Sequence, residues 1–291
     1  MDIVVTGVLL SGTYALIALG LTLQYGVARI MNLATGETLV AACFGAFWFF
    51  ATWQINPVAG VFLVAPIAFA VNWFVYVWLL QPLVKRAKNR GQLEVDSILT
   101  TFGISFISVG LMLAVFGGNY FKYSYLATPV EIFGATYGSN RVTAFVVAAI
   151  ISAVLLLWLH LSRTGMAIRA ISVAPNSARL VGINVPQLAA IAFALGGAVT
   201  AVGGSVVSTF LTLDASTGVI FTLKALIIVI MGGVGDVRGA VLAALILGIS
   251  ETAVASLIDP GLTLAATYFL FVLVLLFRPQ GLFGEKIIER V

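Results

Sequence analysis

The chain has 291 residues, of which 61% are hydrophobic and only 9% are charged. Soluble domains carry roughly 25% charged residues, so this composition excludes a soluble globular fold and most ordinary enzyme architectures. At about 20 apolar residues per spanning helix, the length accommodates roughly eight to ten membrane spans and no sizeable soluble domain. The net charge of +4 comes from basic residues in short loops, which is typical of membrane topology and not of nucleic-acid binding.

Apolar runs separated by glycine, proline and charged residues predict nine membrane-spanning helices and an all-α polytopic bundle. The runs lie at roughly 4–27, 34–53, 57–81, 96–117, 142–161, 187–209, 218–233, 239–257 and 262–277. No linker or shift in composition divides them, so we expect residues 1–291 to form a single transmembrane domain.

Lysine and arginine are distributed unequally between the two sides of these spans. If the basic loop at residues 85–90 is cytoplasmic, strict alternation leaves only Lys122, Arg141 and Lys224 outside or at the outer edge. The other twelve of the 15 basic residues then lie inside. By the positive-inside rule, this predicts an external amino terminus and a cytoplasmic carboxyl terminus.

A polar segment interrupts the first two predicted spans with Asn32, Thr35, Gly36 and Glu37. An ionisable side chain inside a membrane is costly unless it meets a cavity or a partner, so this segment indicates a solute path or a gate. Spacing alone equally allows Glu37 to be an interfacial residue in the first turn of the second span, where a negative charge suits the helix N-terminus.

Glu251 lies in the middle of the eighth predicted span, and its side chain is too short to snorkel. It is a second candidate for the solute path, although pairing with a hydroxyl, a backbone group or another chain would make it structural. Two acids are too few for a proton or ion relay, which weakens a secondary-transport interpretation. With one histidine, His160, and one cysteine, Cys43, we expect no metal site and no cofactor.

The long loop at residues 162–186 is too polar to span a membrane, but apolar side chains alternate with its arginines. Pro175 breaks the loop, and residues 176–182 can form a short helix that begins after this proline. Such a cytoplasmic helix either lies among lipid headgroups or docks into a groove on a cytoplasmic partner, and composition does not decide between these.

The glycine-rich stretch at residues 232–239 invites comparison with a phosphate-binding loop. A P-loop ends in Gly-Lys-Ser/Thr, which holds the phosphates and magnesium, and this stretch lacks that ending. We therefore expect a tight turn between two spans here. If ATP drives the protein, another chain must bind it.

Aromatic residues, among them Phe121 and Tyr123, crowd the segment at residues 118–140 that the topology places outside. Aromatic residues at this level usually anchor a protein in the membrane interface. The alternative is a docking surface for an extracytoplasmic partner.

Several segments match one protein family in order. Residues 11–37 end in Asn32-Leu33-Ala34-Thr35-Gly36-Glu37, and further segments lie at 99–105, 169–184, 232–251 and 277–284. Together they resemble the permease subunits of the branched-chain amino-acid class of ABC importers, whose opening span leads to an Asn-Phe-Ala-His-Gly-Glu motif. The resemblance runs nearly from end to end.

The resemblance implies a multi-pass permease of the bacterial inner membrane, surrounded by lipid, that performs no chemical step itself. It also implies a second homologous permease subunit, two cytoplasmic ATPase subunits and a periplasmic solute-binding protein as partners. The solute would be a branched-chain or other small aliphatic amino acid, with urea and short amides as the alternative. A self-sufficient channel, a secondary transporter and a structural scaffold are the rivals from other classes.

The residues and the resemblance together define two sets of candidates. The translocation path would include Tyr14, Asn32, Thr35, Gly36, Glu37, Thr101 and Glu251. The loop at 162–186 would couple the permease to its ATPases through Arg169, Asn176, Ala178, Arg179, Leu180, Gly182 and Ile183.

Two departures limit these assignments. Thr35 replaces the family's histidine, so a role for imidazole does not transfer, although the threonine hydroxyl can still line a polar path. Asn176 and Ser177 replace the first two residues of the Glu-Ala-Ala-x-x-x-Gly coupling pattern, so a salt bridge through that glutamate does not transfer.

Overall fold

The computed structural model of the chain describes residues 2–123, 125–132 and 134–284. Lys286 and Arg290, which count among the predicted cytoplasmic basic residues, lie outside the described residues. The helices and strands are α1 (Asp2–Ala28), α2 (Thr35–Trp53), α3 (Pro57–Val75), α4 (Gln81–Arg86), α5 (Arg90–Phe116), β1 (Pro129–Ile132), β2 (Ala135–Gly138), α6 (Ser139–Leu161), α7 (Arg163–Val173), α8 (Pro175–Leu180), α9 (Val185–Val207), α10 (Gly218–Gly232), α11 (Val237–Leu257) and α12 (Thr263–Phe277).

The predicted all-α polytopic bundle is confirmed. Within the described residues, 8 helices are long and apolar enough to cross a membrane, counting α3 and α4 as one continuous helix through a π-helical stretch at Tyr76–Leu80. The predicted span at 218–233 is α10, which has only 15 residues. At 1.5 Å per residue it is about 22 Å long, shorter than the roughly 30 Å hydrocarbon core of a bilayer. The chain is therefore a multi-pass membrane protein with one shortened helix.

Helices α1 and α9 lie at the centre of the bundle. Helix α9 is buried along most of its length and packs against α1, α2 and α3. Gly20 of α1 faces Gly196 of α9, and a Cβ atom on either residue would overlap the backbone oxygen of the other. Because helices in lipid associate by close packing, these small residues allow the two central backbones to approach. Helices α5 and α12 lie at the periphery with most apolar side chains exposed.

Residues 117–123 and the segment 208–217 pack together at the end predicted to be external. Phe121 pairs with Leu213 through two backbone hydrogen bonds of 2.8 and 3.0 Å. The Tyr123 ring stacks on Phe50 of α2 at 5.1 Å, and its hydroxyl lies 2.7 Å from the Ser208 hydroxyl. Burial raises the pKa of Tyr123 to about 12. These aromatic residues therefore pack within the protein, which differs from the expected interface anchors.

Candidate functional site

The connection between α1 and α2 is non-helical from residue 29 to residue 34. It begins at Arg29, whose backbone has a φ of 58°, in the left-handed region. The Arg29 guanidinium donates a 2.7 Å hydrogen bond to the Ser172 carbonyl of α7, so the loop at 162–186 is tied directly to this break. The interruption expected from the sequence is therefore present between the first two spans.

Asn32 and Thr35 are buried and shape the break from within. The Asn32 side-chain Nδ2 donates to Gln24 Oε1 at 2.9 Å, and the Asn32 side-chain Oδ1 accepts from the Ala34 N–H at 3.0 Å. The Thr35 hydroxyl donates to the Asn32 backbone carbonyl at 2.8 Å. Gln24, which the sequence did not single out, donates in turn to the Phe193 carbonyl of α9 at 3.1 Å. These contacts satisfy part of the non-helical backbone inside the protein, as membrane depth requires.

Thr101 supports the same break from α5. Its hydroxyl lies 3.0 Å from the Met31 carbonyl and accepts from the Leu33 N–H at 3.1 Å. Thr101 is fully buried, and Ser97 and Ser105, one turn away on either side, are buried as well. A polar stripe of an otherwise apolar helix therefore faces the connection between α1 and α2.

The N-terminal ends of α2 and α10 meet beside this break. The Gly36 N–H donates to the Thr222 hydroxyl at 2.9 Å. A Cβ atom at position 36 would overlap the Gly218 carbonyl oxygen, so the contact requires glycine at this position. The shortened helix α10 therefore begins against the start of α2, a contact that neither helix reveals in its own sequence.

Glu37 lies in the first turn of α2 and is only 1% exposed. Such burial excludes an interfacial position in water. Its Oε2 atom lies 3.5 Å from the Thr222 hydroxyl, which also faces the Leu33 and Gly218 carbonyls at 3.2 Å each. A hydroxyl donates one proton, so the two closer carbonyls compete for it. Among the described residues, Glu37 Oε1 has no hydrogen-bond partner.

Glu37 lies in the wall of a cavity of about 250 Å³ between α2, α3 and α5. The polar residues of the wall are Glu37, Thr38, Asn72 and Ser108, and the remainder are glycine and apolar residues. Ala41, Ile67 and Val71 are exposed at the mouth, whereas Glu37 and Asn72 are buried. The cavity is therefore a mostly apolar cleft with a carboxylate at its inner end.

Glu251 occupies a separate polar cluster. Its Oε2 atom accepts hydrogen bonds from Lys224 at 2.8 Å and from the Tyr14 hydroxyl at 2.6 Å, and its Oε1 atom accepts from Thr267. The Lys224 ammonium also lies 2.6 Å from the Tyr14 hydroxyl. The cluster thus joins α1, α10, α11 and α12 around one ion pair.

The predicted path residues therefore divide into two groups. Asn32, Thr35, Gly36, Glu37 and Thr101 meet at the break between α1 and α2, whereas Tyr14 and Glu251 belong to the ion-pair cluster. Lys224, which was expected outside or at the outer edge, has a side chain that is only 12% exposed and pairs with Glu251. A basic residue within an apolar run was the signal for this pairing, because an intramembrane charge requires a partner.

The loop at 162–186 contains two helices instead of the one predicted. Helix α8, at Pro175–Leu180, matches the expected short helix, and α7 precedes it. Leu180 is 88% and Val181 is 75% exposed, while Ala178 is buried beneath them. Gly182 has a φ of 82°, which glycine adopts readily, and it turns the chain sharply towards α9.

The remaining coupling candidates differ in exposure. Arg169, Asn176 and Arg179 are exposed, whereas Ile183 is half-buried against the core. The end of α8 therefore presents two apolar side chains surrounded by polar and basic ones. Such a surface suits contact with a protein groove and contact with headgroups alike.

Comparison with known proteins gives a consistent result. Residues 3–278 match the family model described as "Branched-chain amino acid transport system / permease component". The chain is 26% identical to the high-affinity branched-chain amino acid transport system permease protein LivH of Escherichia coli (strain K12), over 98% of this chain and 96% of that protein. It is 27% identical to BraD of Pseudomonas aeruginosa, a protein with the same description, over 99% and 96% of the two chains.

A third relative has a similar description. The probable branched-chain amino acid transport permease protein LivH of Methanocaldococcus jannaschii is 26% identical, over 95% of this chain and 90% of that protein. No solved structure shows a significant match to the chain.

Proposed function

The chain belongs to the branched-chain amino acid transport permease family, and from this premise we propose that it is the permease subunit of an ABC importer. The solute would be a branched-chain or other small aliphatic amino acid, as the names of the relatives suggest. The protein would lie in the bacterial inner membrane and move the solute inward by alternating access. No chemical step is assigned to this chain.

The observation that carries this proposal is the buried carboxylate of Glu37 in the wall of a mostly apolar cleft. A broken helix and a buried acid at membrane depth mark a solute pathway when they line a cavity. Asn32, Thr35, Gly36 and Thr101 shape the break that carries Glu37, and we assign them to the path through this role. Tyr14 and Glu251 would hold the helices around it.

Energy would come from partner subunits. Residues 232–239 lack the ending of a P-loop, so ATP would bind to two cytoplasmic ATPase subunits. The exposed side chains of Leu180 and Val181 would seat in a groove on an ATPase. Motion of α7 would reach the path through the hydrogen bond between Arg29 and Ser172. A second permease subunit and a periplasmic solute-binding protein would complete the importer.

Urea or a short amide is the second candidate solute. The observation that favours it is the hydroxyl and amide groups of Thr38, Asn72 and Ser108 in the cavity wall, which can hydrogen-bond a neutral polar molecule.

Reconstitution tests the proposed function. We expect the chain to co-purify with ATPase subunits encoded beside it and, with its solute-binding protein, to show ATP hydrolysis stimulated by leucine. A screen against urea and short amides separates the two solute classes. Conduction by the chain alone, without ATPases, would identify a channel and contradict the proposal.

Gly182→Trp tests the coupling contact. A bulky residue at the exposed end of α8 should hold the ATPase away and abolish solute-stimulated hydrolysis while the solute-binding protein still docks. Gly182→Ala is the control, because it introduces similar backbone strain at a positive φ without the bulk. If the tryptophan variant retains full stimulation, and crosslinks from position 180 reach only lipid, α8 is a membrane-surface helix.

A further inference from the structure

We propose that the cavity between α2, α3 and α5 is a binding site for the primary ammonium group of the transported solute, with Glu37 as its acceptor. This inference rests on the proposed function, since it names the part of the solute that the site recognises. The site lies within this chain, at the inner end of a cleft whose mouth is formed by Ala41, Ile67 and Val71.

The Glu37 carboxylate is buried and lacks strong hydrogen bonds within the described residues. It is 1% exposed, and Oε1 is one of just two buried side-chain polar atoms in the described residues that lack a hydrogen-bond partner. The 3.5 Å contact of its Oε2 atom with Thr222 is at the limit of a hydrogen bond. A buried ionised carboxylate without compensating donors or a cation is strongly unfavourable, so an ionised Glu37 requires a partner that the described residues do not provide.

A partner for the Glu37 carboxylate should carry a positive charge. The cavity wall contains no lysine, arginine or histidine, and the sole ion pair among the described residues is that of Lys224 with Glu251. A primary ammonium carries three N–H donors and a positive charge, whereas a carboxylate is purely an acceptor. Such a group would neutralise Glu37 and satisfy both of its oxygens.

The size and lining of the cavity also fit an aliphatic amino acid. Its volume of about 250 Å³ is below the roughly 300–1,000 Å³ of drug-sized ligand sites, and it suits a molecule of amino-acid size. The apolar side chains of Val64, Ala68 and Val71 would contact an aliphatic side chain. Asn72 donates one N–H to the Ala68 carbonyl and has a second N–H that can bind the solute carboxylate.

The test uses the assembled permease–ATPase complex without the solute-binding protein, so that selection by that protein does not enter. Ala41→Cys, in a Cys43→Ala background, places a thiol at the mouth of the cavity. We expect a water-soluble methanethiosulfonate reagent to modify this thiol, and L-leucine to slow the modification at least tenfold. Ser108→Cys provides a second reporter on α5 if the first variant fails to assemble.

Two analogues of leucine isolate the ammonium group. 3-Methylbutylamine, which keeps the ammonium and lacks the carboxylate, should protect the thiol. 4-Methyl-2-oxopentanoate, in which a carbonyl replaces the ammonium-bearing carbon, should not. Adding Glu37→Gln should abolish protection by both amines, whereas Glu131→Gln, the same change at an exposed position in β1, should preserve it.

Three results would overturn the inference. They are an unreactive thiol at both reporter positions, protection by the oxo acid equal to that by leucine, and undiminished protection in the Glu37→Gln complex. Leucine uptake by the parent importer is measured separately. If the parent importer takes up leucine and any of these results appears, only the site assignment is wrong. If the parent importer transports no amino acid, the proposed function is wrong as well.

Discussion

Glu37 and Glu251 are both buried glutamates in a membrane bundle, with exposures of 1% and 3%, but the protein surrounds them differently. Glu251 lies within the continuous helix α11 and accepts from Lys224, Tyr14 and Thr267. Glu37 lies at the start of α2, beside a cavity, and keeps one oxygen without a partner among the described residues. A buried acid that is fully paired holds helices together, whereas one that is left unpaired beside a cavity is available to a ligand.

Helix α10 links the two regions. Thr222 contacts Glu37, and Lys224, two residues later, contacts Glu251. The shortened helix α10 therefore contacts both acids. A displacement of α10 would change both surroundings together.

Breaking the ion pair should have the largest effect. Lys224→Met leaves the Glu251 carboxylate buried without its cation, which costs about 3–5 kcal/mol in comparable pairs. We expect a large fall in the thermal unfolding temperature of the solubilised protein and a loss of assembled complex.

The control for this prediction is the double variant Lys224→Met with Glu251→Gln, which removes both charges. It should recover most of the lost stability, since no unpaired charge remains. A single variant as stable as the parent would show that the pair is not structural.

Forcing α2 and α10 apart should have the next largest effect. In Gly36→Ala, the added methyl group meets the Gly218 carbonyl, and overpacking of this kind costs about 1–3 kcal/mol. Thermal unfolding and uptake should both decline. Gly110→Ala in α5 is the matched control, because a Cβ there meets nothing within 4 Å. Equal behaviour of the two variants would argue against a tight contact between these helix ends.

Neutralising Glu37 should affect transport and spare the fold. We expect Glu37→Gln to reduce uptake about tenfold, which corresponds to about 1.4 kcal/mol, while the complex assembles and unfolds as the parent does. Breaking the Lys224–Glu251 ion pair should instead lower stability and assembly. Parental uptake in a normally assembled variant would remove Glu37 from the path.

The smallest effect is expected at the turn before α10. Partial burial acts to raise the pKa of Asp214, but hydrogen bonds from Ser216 and Thr217 outweigh it, and the pKa is lowered. The carboxylate therefore stabilises the fold above its ordinary pKa, and this contribution is lost as the pH falls through the lowered value.

Asp214→Asn should reduce stability at neutral pH by less than about 1 kcal/mol, given the exposure of this turn. The difference from the parent should vanish in acid, as followed by thermal unfolding across pH. A difference that persists unchanged in acid would show that the charge of Asp214 contributes nothing.

The sequence was sufficient for the positions of the long apolar helices and for the break between α1 and α2, but it did not predict α7. Apolar runs must be about 20 residues long to cross a bilayer, so composition alone predicts where spans begin and end. The span predicted at 239–257 is observed at Val237–Leu257. The external amino terminus, the single domain and the roles of the path and coupling residues stay predictions.

Local composition, by contrast, did not identify the partners in long-range contacts. Tyr14 and Glu251 are 237 residues apart in the chain, and Thr222 is 186 residues from Gly36, yet each pair is in direct contact. Hydropathy expresses the free energy of transferring a residue type between water and an apolar phase, and this value is the same for Glu37 and Glu251. Whether a buried charge is paired depends on which helices surround it, so the tertiary structure alone decides which of the two acids is free to meet a solute.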